Sequence, residues 1–310
     1  MGSNPAAPTS LQGLEGKREE HGSLRSVEAA SGSFFYCNPP MRILVTNDDG
    51  IQSPGITALA QALAAIGEVW VVAPDRERTA VAHAVTLHKP LRVHRVAPRT
   101  YTVNGTPVDC VNLALLKVMP KPPAIVVSGI NKGVNLGDDV MYSGTVSAAM
   151  EGTILGVPSL AVSQEGQGAF RFNIGAAYAA RVARLVLDQG LPEETLLNVN
   201  IPDRAQSKIR GVRITCLSRR RFHNPIIEKL DPHGRQYYWI AGKRISWSRS
   251  KDADHEAVEE GYVSITPIRL DVTHHEVMDQ FRAWEHLVAG RGRHSTVSKS
   301  NGRSTNQVGR

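Results

Sequence analysis

The chain has 310 residues, 41% hydrophobic, 21% charged and only 5% aromatic, with a formal charge of +7. That composition suits a soluble globular protein of one large domain or two smaller ones, with a mostly aliphatic core. No run approaches ~20 uninterrupted apolar residues, so no membrane span is expected. Part of the positive charge lies beyond residue 282, where five basic residues face one acidic one. A charge so placed reads as a solvated tail, and no nucleic-acid partner is expected from it.

Cys37, Cys110 and Cys216 are odd in number and widely spaced. They form neither a disulfide framework nor a zinc motif, and a reducing, cytoplasmic setting is expected. Residues 1–40 are rich in Ser, Gly, Ala and Glu and read as a disordered extension, because Met41 opens the folded pattern directly. The patch "FFYC" within them is too short for a signal-peptide core.

From Arg42 the apolar runs alternate in kind. Residues 42–46 read as a buried strand that runs into Asn47, Asp48, Asp49 and Gly50. Ser53 and Pro54 supply a cap and a first helical position, followed by Ile56, Leu59, Leu63 and Ile66 at helical spacing. "VWVVAPD" (69–75) is a second strand, and "LRVHRV" with "YTVNG" reads as a hairpin. "TPVD" (106–109) opens a helix with Thr106 as cap. "AIVVSGIN" (124–131) is a strand, 145–155 a helix, 157–163 a strand, 173–188 a helix and 196–202 a strand. Alternation of this kind predicts an α/β fold: a mostly parallel, Rossmann-like sheet with helices on both faces.

After Pro202 the texture changes. Residues 205–250 are basic and aromatic and lack a helical period; they read as a long hairpin or arm carrying Phe222, Tyr237, Tyr238, Trp239 and Trp247. A short helix (253–260) and a closing strand (261–270) follow, and beyond about Met278 a polar, disordered tail is expected. The division is therefore an extension over 1–40, a catalytic core over 41–203, an oligomerising arm, helix and strand over 204–278, and a basic tail over 279–310.

Ligands of an open parallel sheet bind beyond the carboxyl ends of its strands. Three segments rich in oxygen donors and glycine fall there: "NDDG", "DRERTA" (75–80) and "SGINKGVNLGDD" (128–139). Asp48 and Asp49 are hard donors; with an amide or hydroxyl oxygen they suit magnesium, manganese or calcium better than zinc. A bound cation would relieve the repulsion between two adjacent carboxylates. By itself "NDDG" is equally a turn, with Asp at its preferred positions. Ser143, Gly144 and Thr145 stand at a helix start, where free N–H groups and hydroxyls make a site for phosphate, or where Ser143 simply caps the helix. Asn135, in the glycine–asparagine segment, is a further candidate for phosphate, and Lys132, Arg76 or Arg78 for added positive charge. His83 and His88 read as structural, and Cys110 as a buried thiol.

"ILVTNDDGIQSPGI", "VVAPDRERTA", "TVNGTPVDCVNLAL", "VVSGINKGVNLGDDVMYSGTVSAAMEG", "LNVNIP" and "GYVSITP" stand in the order found in the SurE family, and the chain resembles it from Met41 to about Thr273. The resemblance implies a Rossmann-like core, an exchanged arm, a homodimer or homotetramer, and divalent-metal-dependent hydrolysis of nucleoside monophosphates. It implies one magnesium or manganese ion per subunit, with calcium able to stand in, held by Asp48, Asp49, Thr79 and Asn131; Asp48 and Asp49 would also be catalytic. The alternatives within this class are an aspartyl-phosphate phosphatase, an enzyme acting mainly on polyphosphate, or one acting on other phosphoesters. Where the family usually has Ser-Gly, this chain has Thr79-Ala80. Thr keeps the hydroxyl, whereas Ala80 adds a methyl group beside the expected phosphate.

Overall fold

The structure is a computed structural model and describes residues 41–166, 170–223, 226–240, 244–247 and 250–289. The expected extension over 1–40 and the tail beyond 289 lie outside the described residues, as does the side chain of Phe222.

Strand β1 (Arg42–Thr46) is followed by α1 (Pro54–Leu63), whose start is fixed by Ser53; its hydroxyl accepts from Gly55 N at 3.3 Å. Strand β2 (Glu68–Pro74) leads to the hairpin of β3 (Val93–Ala97) and β4 (Thr100–Val103). At α2 (Pro107–Leu113) the cap is reciprocal. Asp109 N donates to the Thr106 hydroxyl at 3.1 Å, and the Asp109 carboxylate accepts from Thr106 N at 2.8 Å. Then come β5 (Ile125–Lys132), α3 (Gly144–Ile154), β6 (Ser159–Gln164), α4 (Phe172–Gln189), β7 (Thr195–Ile201) and β8 (Val212–Ile214).

Next comes the arm. Within it β9 (Arg220–His223) pairs antiparallel with β12 (Arg244–Trp247), and β10 (Ile226–Leu230) with β11 (Gln236–Ile240). The two pairings are nested in the chain, β10 with β11 inside β9 with β12. Helix α5 (Asp254–Glu259) and strand β13 (Val263–Arg269) return the chain to the sheet. Past β13, where a structureless tail was expected, two short helices form instead, α6 (Met278–Arg282) and α7 (Trp284–Val288), with Phe281 and Trp284 edge to face at 4.9 Å. The local signal missed there was the i, i+3 spacing of those two rings.

The main sheet has nine strands in the order β3-β4-β2-β1-β5-β6-β7-β13-β8. All neighbours are parallel except β3 with β4 and β13 with β7. Strand parity decides which helices cover which face. Ile43 and Val45 pack with Ile56, Leu59 and Leu63 of α1 and with Ala179 and Val182 of α4. Leu44, between them, points to the other face, against Cys110, Val111 and Ala114 beside α2 and Ala148 of α3. All three β1 residues are fully buried, at about 1.5–3 kcal/mol each. No helix among the described residues is long and apolar enough to cross a membrane.

The chain order of the strands reverses at β1. From it β2 and β4 build outward on one side, and β5, β6 and β7 on the other. The carboxyl ends of β1 and β5 therefore diverge into separate loops and leave a crevice between them.

Candidate active site

Asp48 and Asp49 leave β1 at that crevice. Asn47, fully buried, closes the turn by donating from Nδ2 to Gly50 O at 3.0 Å. Asp48 is 5% exposed; its carboxylate accepts from the Thr145 hydroxyl, and its carbonyl from Arg78 N at 2.7 Å. Burial pushes the Asp48 carboxyl up to about 6; the Thr145 hydroxyl works against this, and neighbouring Asp49 adds to it. Asp49 is half-buried and accepts from Lys132 N at 3.2 Å. Burial raises its carboxyl too, with the charge of Lys132 opposing. Two carboxylates pushed upward in this way form a site that gains from a cation.

The other loops complete a cavity of about 320 Å³, within the range of small-ligand pockets. Its lining includes Asp48, Asp49, Thr79, Asn131, Asn135 and Ser143. Thr79, in the exposed loop after β2, donates its hydroxyl to Glu77 at 2.5 Å. Asn131, near the end of β5, donates from Nδ2 to Gly133 O at 2.9 Å. Among the described residues no group of three or more His, Cys, Asp or Glu is placed to hold an ion, so any cation here would have to combine the aspartates with neutral oxygens. That donor set fits a hard divalent ion.

Asn135 is held on every side. Its N–H donates to Asn200 Oδ1 at 2.8 Å, and its carbonyl accepts from Asn198 Nδ2 at 2.8 Å and Asn200 Nδ2 at 3.0 Å. Its own Nδ2 donates to Ser163 Oγ at 2.8 Å. Ser143 caps α3 by accepting from Val146 N at 3.1 Å and also lines the cavity, so it fits both readings of its motif.

Three candidate residues are placed otherwise than expected. Thr145, read as a phosphate contact, is fully buried and turns its hydroxyl onto Asp48 instead of into the cavity. Gly144 backs onto the same aspartate, where a Cβ would lie 2.9 Å from Asp48 Cβ. The helix start thus supports a carboxylate from behind, and only Ser143 of the three faces the ligand space. Arg78 likewise points away, to Asp75 at 3.5 Å and Asn104 O at 3.3 Å, while Lys132 does line the cavity.

Glu77, Val134, Asp139 and Tyr142 also line the cavity and were missed. Their signal was position alone, within the segments already marked as converging. Asn198 and Asn200 carried a clearer signal: two amides alternating through an otherwise apolar strand. His83 bonds Glu151 at 2.6 Å, and Glu151 also accepts from Asn112 Nδ2 at 2.6 Å. That contact ties the loop after Ala80 to α3.

A mostly parallel sheet covered by helices, with an acidic crevice at its switch point, defines a Rossmann-like α/β protein with its ligand site in the usual place. Residues 43–224 match the family model described as survival protein SurE. The chain is 49% identical over 246 residues to the 5'-nucleotidase SurE of Geobacter metallireducens, covering 79% of this chain and 98% of that one. It is 51% identical over 247 residues to the 5'-nucleotidase SurE of Pelobacter propionicus, covering 79% and 99%. The crystal structure of the SurE protein from Aquifex aeolicus superposes with a TM-score of 0.73 at 43% identity, covering 79% and 99%. The chain belongs to the SurE family.

Proposed function

We propose that this protein is a divalent-metal-dependent 5'-nucleotidase, a phosphomonoesterase that hydrolyses nucleoside monophosphates to nucleoside and phosphate. Its relatives at 49–51% identity carry the name 5'-nucleotidase. The observation that carries the reading is the buried Asp48 beside Asp49 on the cavity wall, both with carboxyls raised by burial. Asp48, Asp49, Thr79 and Asn131 would hold the cation. When bound, a divalent ion neutralises phosphoryl charge and lowers the pKa of water.

The remaining work falls to the chain itself. Asp49, the more accessible carboxylate, orients the attacking water and takes its proton as the new O–P bond forms. The ester O–P bond breaks in line, and the nucleoside oxygen receives, by way of solvent, the proton that Asp49 took from the water. Ser143, Asn135 and Lys132 hold the non-bridging oxygens, since positioning and electrostatics dominate phosphoryl transfer. Thr145 fixes the Asp48 carboxylate from behind. The nucleoside lies toward Val134, Asp139 and Tyr142. The arm joins subunits into a homodimer or homotetramer.

Purified protein is assayed on a panel of nucleoside monophosphates and 4-nitrophenyl phosphate with magnesium, manganese or chelator. Phosphate release that requires the metal is expected. No metal-dependent release from any substrate would overturn the reading.

A further inference from the structure

Gly137 stands where the loop before α3, the root of the arm and α5 meet. Asp254, the first residue of α5, is fully buried, 117 positions away in the chain. Its Oδ2 accepts from Gly137 N at 2.8 Å. Its Oδ1 accepts from Ser218 N at 3.1 Å, Ser218 Oγ at 2.6 Å and His255 N at 2.8 Å. Four donors so arranged supply what a carboxylate taken out of water requires.

The arm is seated on the same point. Ser218 precedes β9 and Trp247 ends β12, so each leg of the hairpin contributes one contact. Gly137 has φ +51°; a Cβ there would lie 2.1 Å from Ser218 O and 2.9 Å from a ring carbon of Trp247. Trp247 in turn stacks on His255 of α5, with ring centroids 5.2 Å apart. Arm root, α5 and loop therefore form one packed cluster.

That loop is a wall of the cavity. Asp139 and Tyr142, on the nucleoside side, stand just after Gly137, whereas Asn135 before it is anchored separately by Asn198, Asn200 and Ser163, and Ser143 by the cap of α3. Asp48 and Asp49 are anchored elsewhere, by Thr145, Arg78 N and Lys132 N. Moving the wall would leave the carboxylates in place.

We propose that Asp254 is a positioning residue that locks this wall to the root of the arm and thereby sets the fit of the nucleoside part of the substrate. The inference rests on the nucleotidase reading and goes beyond it. An Asn side chain at 254 would turn an N–H₂ group toward one of the N–H donors now satisfied, and that part of the loop would be pushed off.

The test compares the best nucleoside monophosphate with 4-nitrophenyl phosphate, which lacks ribose and base. Asp254→Asn is expected to lower kcat/KM for the nucleotide at least tenfold, mainly through KM. The aryl phosphate should lose less than threefold, and the manganese concentration for half activity should stay unchanged. Ser218→Ala removes a single donor and should give the same split, more mildly; it carries the test if Asp254→Asn does not fold. Parallel losses on both substrates, or wild-type kinetics in a folded Asp254→Asn protein, would overturn the inference. A wild-type protein without metal-dependent release from either substrate would overturn the functional reading itself.

Discussion

Asp48 is a liability to the fold while its charge stands uncompensated. Its folded carboxyl sits at about 6 against an ordinary 3.8, so the metal-free fold holds the proton more tightly than the unfolded chain. The contribution of Asp48 to stability is therefore full below about pH 4 and is lost as pH rises toward 6, by up to ~3 kcal/mol. Asp48→Asn keeps an acceptor for the Thr145 hydroxyl and removes the charge. In chelator it should raise the thermal midpoint by several degrees at pH 7 and by little at pH 4, while abolishing turnover. Equal midpoints at pH 7 would show that the charge is not strained. Thr79 poses a milder question, since its hydroxyl now donates to Glu77. Thr79→Val keeps the shape and removes the oxygen. The metal concentration for half activity should rise roughly ten- to a hundredfold, about 1.4–2.8 kcal/mol, with much of the rate restored by excess metal. Thr79→Ser should be nearly silent, and an unaltered metal titration in Thr79→Val would remove Thr79 from the site. Ala80, the neighbouring departure from the family pattern, adopts φ +55°, the left-handed region where glycine is at ease. The pattern difference was legible in the sequence, and the structure supplies its physical sense.

Elements were legible where local chemistry specifies them. Ser53-Pro54, Thr106-Pro107 and the aliphatic runs of β1 and β5 fix helix starts and buried strands within a few residues. Because strand ends follow from strand order, the crevice was legible too, together with six of the eight candidate residues on its lining. What stayed hidden depends on contacts across long stretches of chain. Thr145 reaches a carboxylate 97 positions earlier, and Asn200 reaches the backbone of Asn135 65 positions earlier. No local period encodes such pairs. Asn200 both accepts from and donates to Asn135. Asn200→Ala leaves a buried N–H without its partner and thins the support of the carbonyl. It should lower stability by about 2–3 kcal/mol in urea unfolding, and should raise KM because Asn135 loses its anchor. Unchanged stability would mean that the β7 amides are dispensable to the loop.

On the scale of the whole molecule, the arm is where the chain leaves polar and apolar surface out of balance. Every residue of β11 is exposed, with Tyr238 at 58%, Trp239 at 59% and Ile240 at 88%. Across the hairpin Ile226 and Leu230 are exposed to 61% and 62%. Aromatic and aliphatic side chains concentrated on a two-stranded hairpin need a surface to cover, because such a ribbon is marginal alone in water. A second copy of the chain is the occupant that the proposed oligomer calls for, and aromatic residues of this kind are enriched at such interfaces. The nested pairing locates a cut that separates this role from the site. Replacing 226–240 by a tight turn removes β10 and β11 but retains β9, β12 and the contacts of Ser218 and Trp247 with Gly137. The shortened protein should sediment as a monomer at micromolar concentration, and the full chain as the proposed dimer or tetramer. Because the root still braces the cavity wall, turnover of the nucleoside monophosphate should remain within a few-fold of the full chain, as should that of 4-nitrophenyl phosphate, which does not depend on the brace. An unchanged sedimentation mass would show that the hairpin tip does not join subunits, and a monomer inactive on the aryl phosphate would show that the site needs its neighbour.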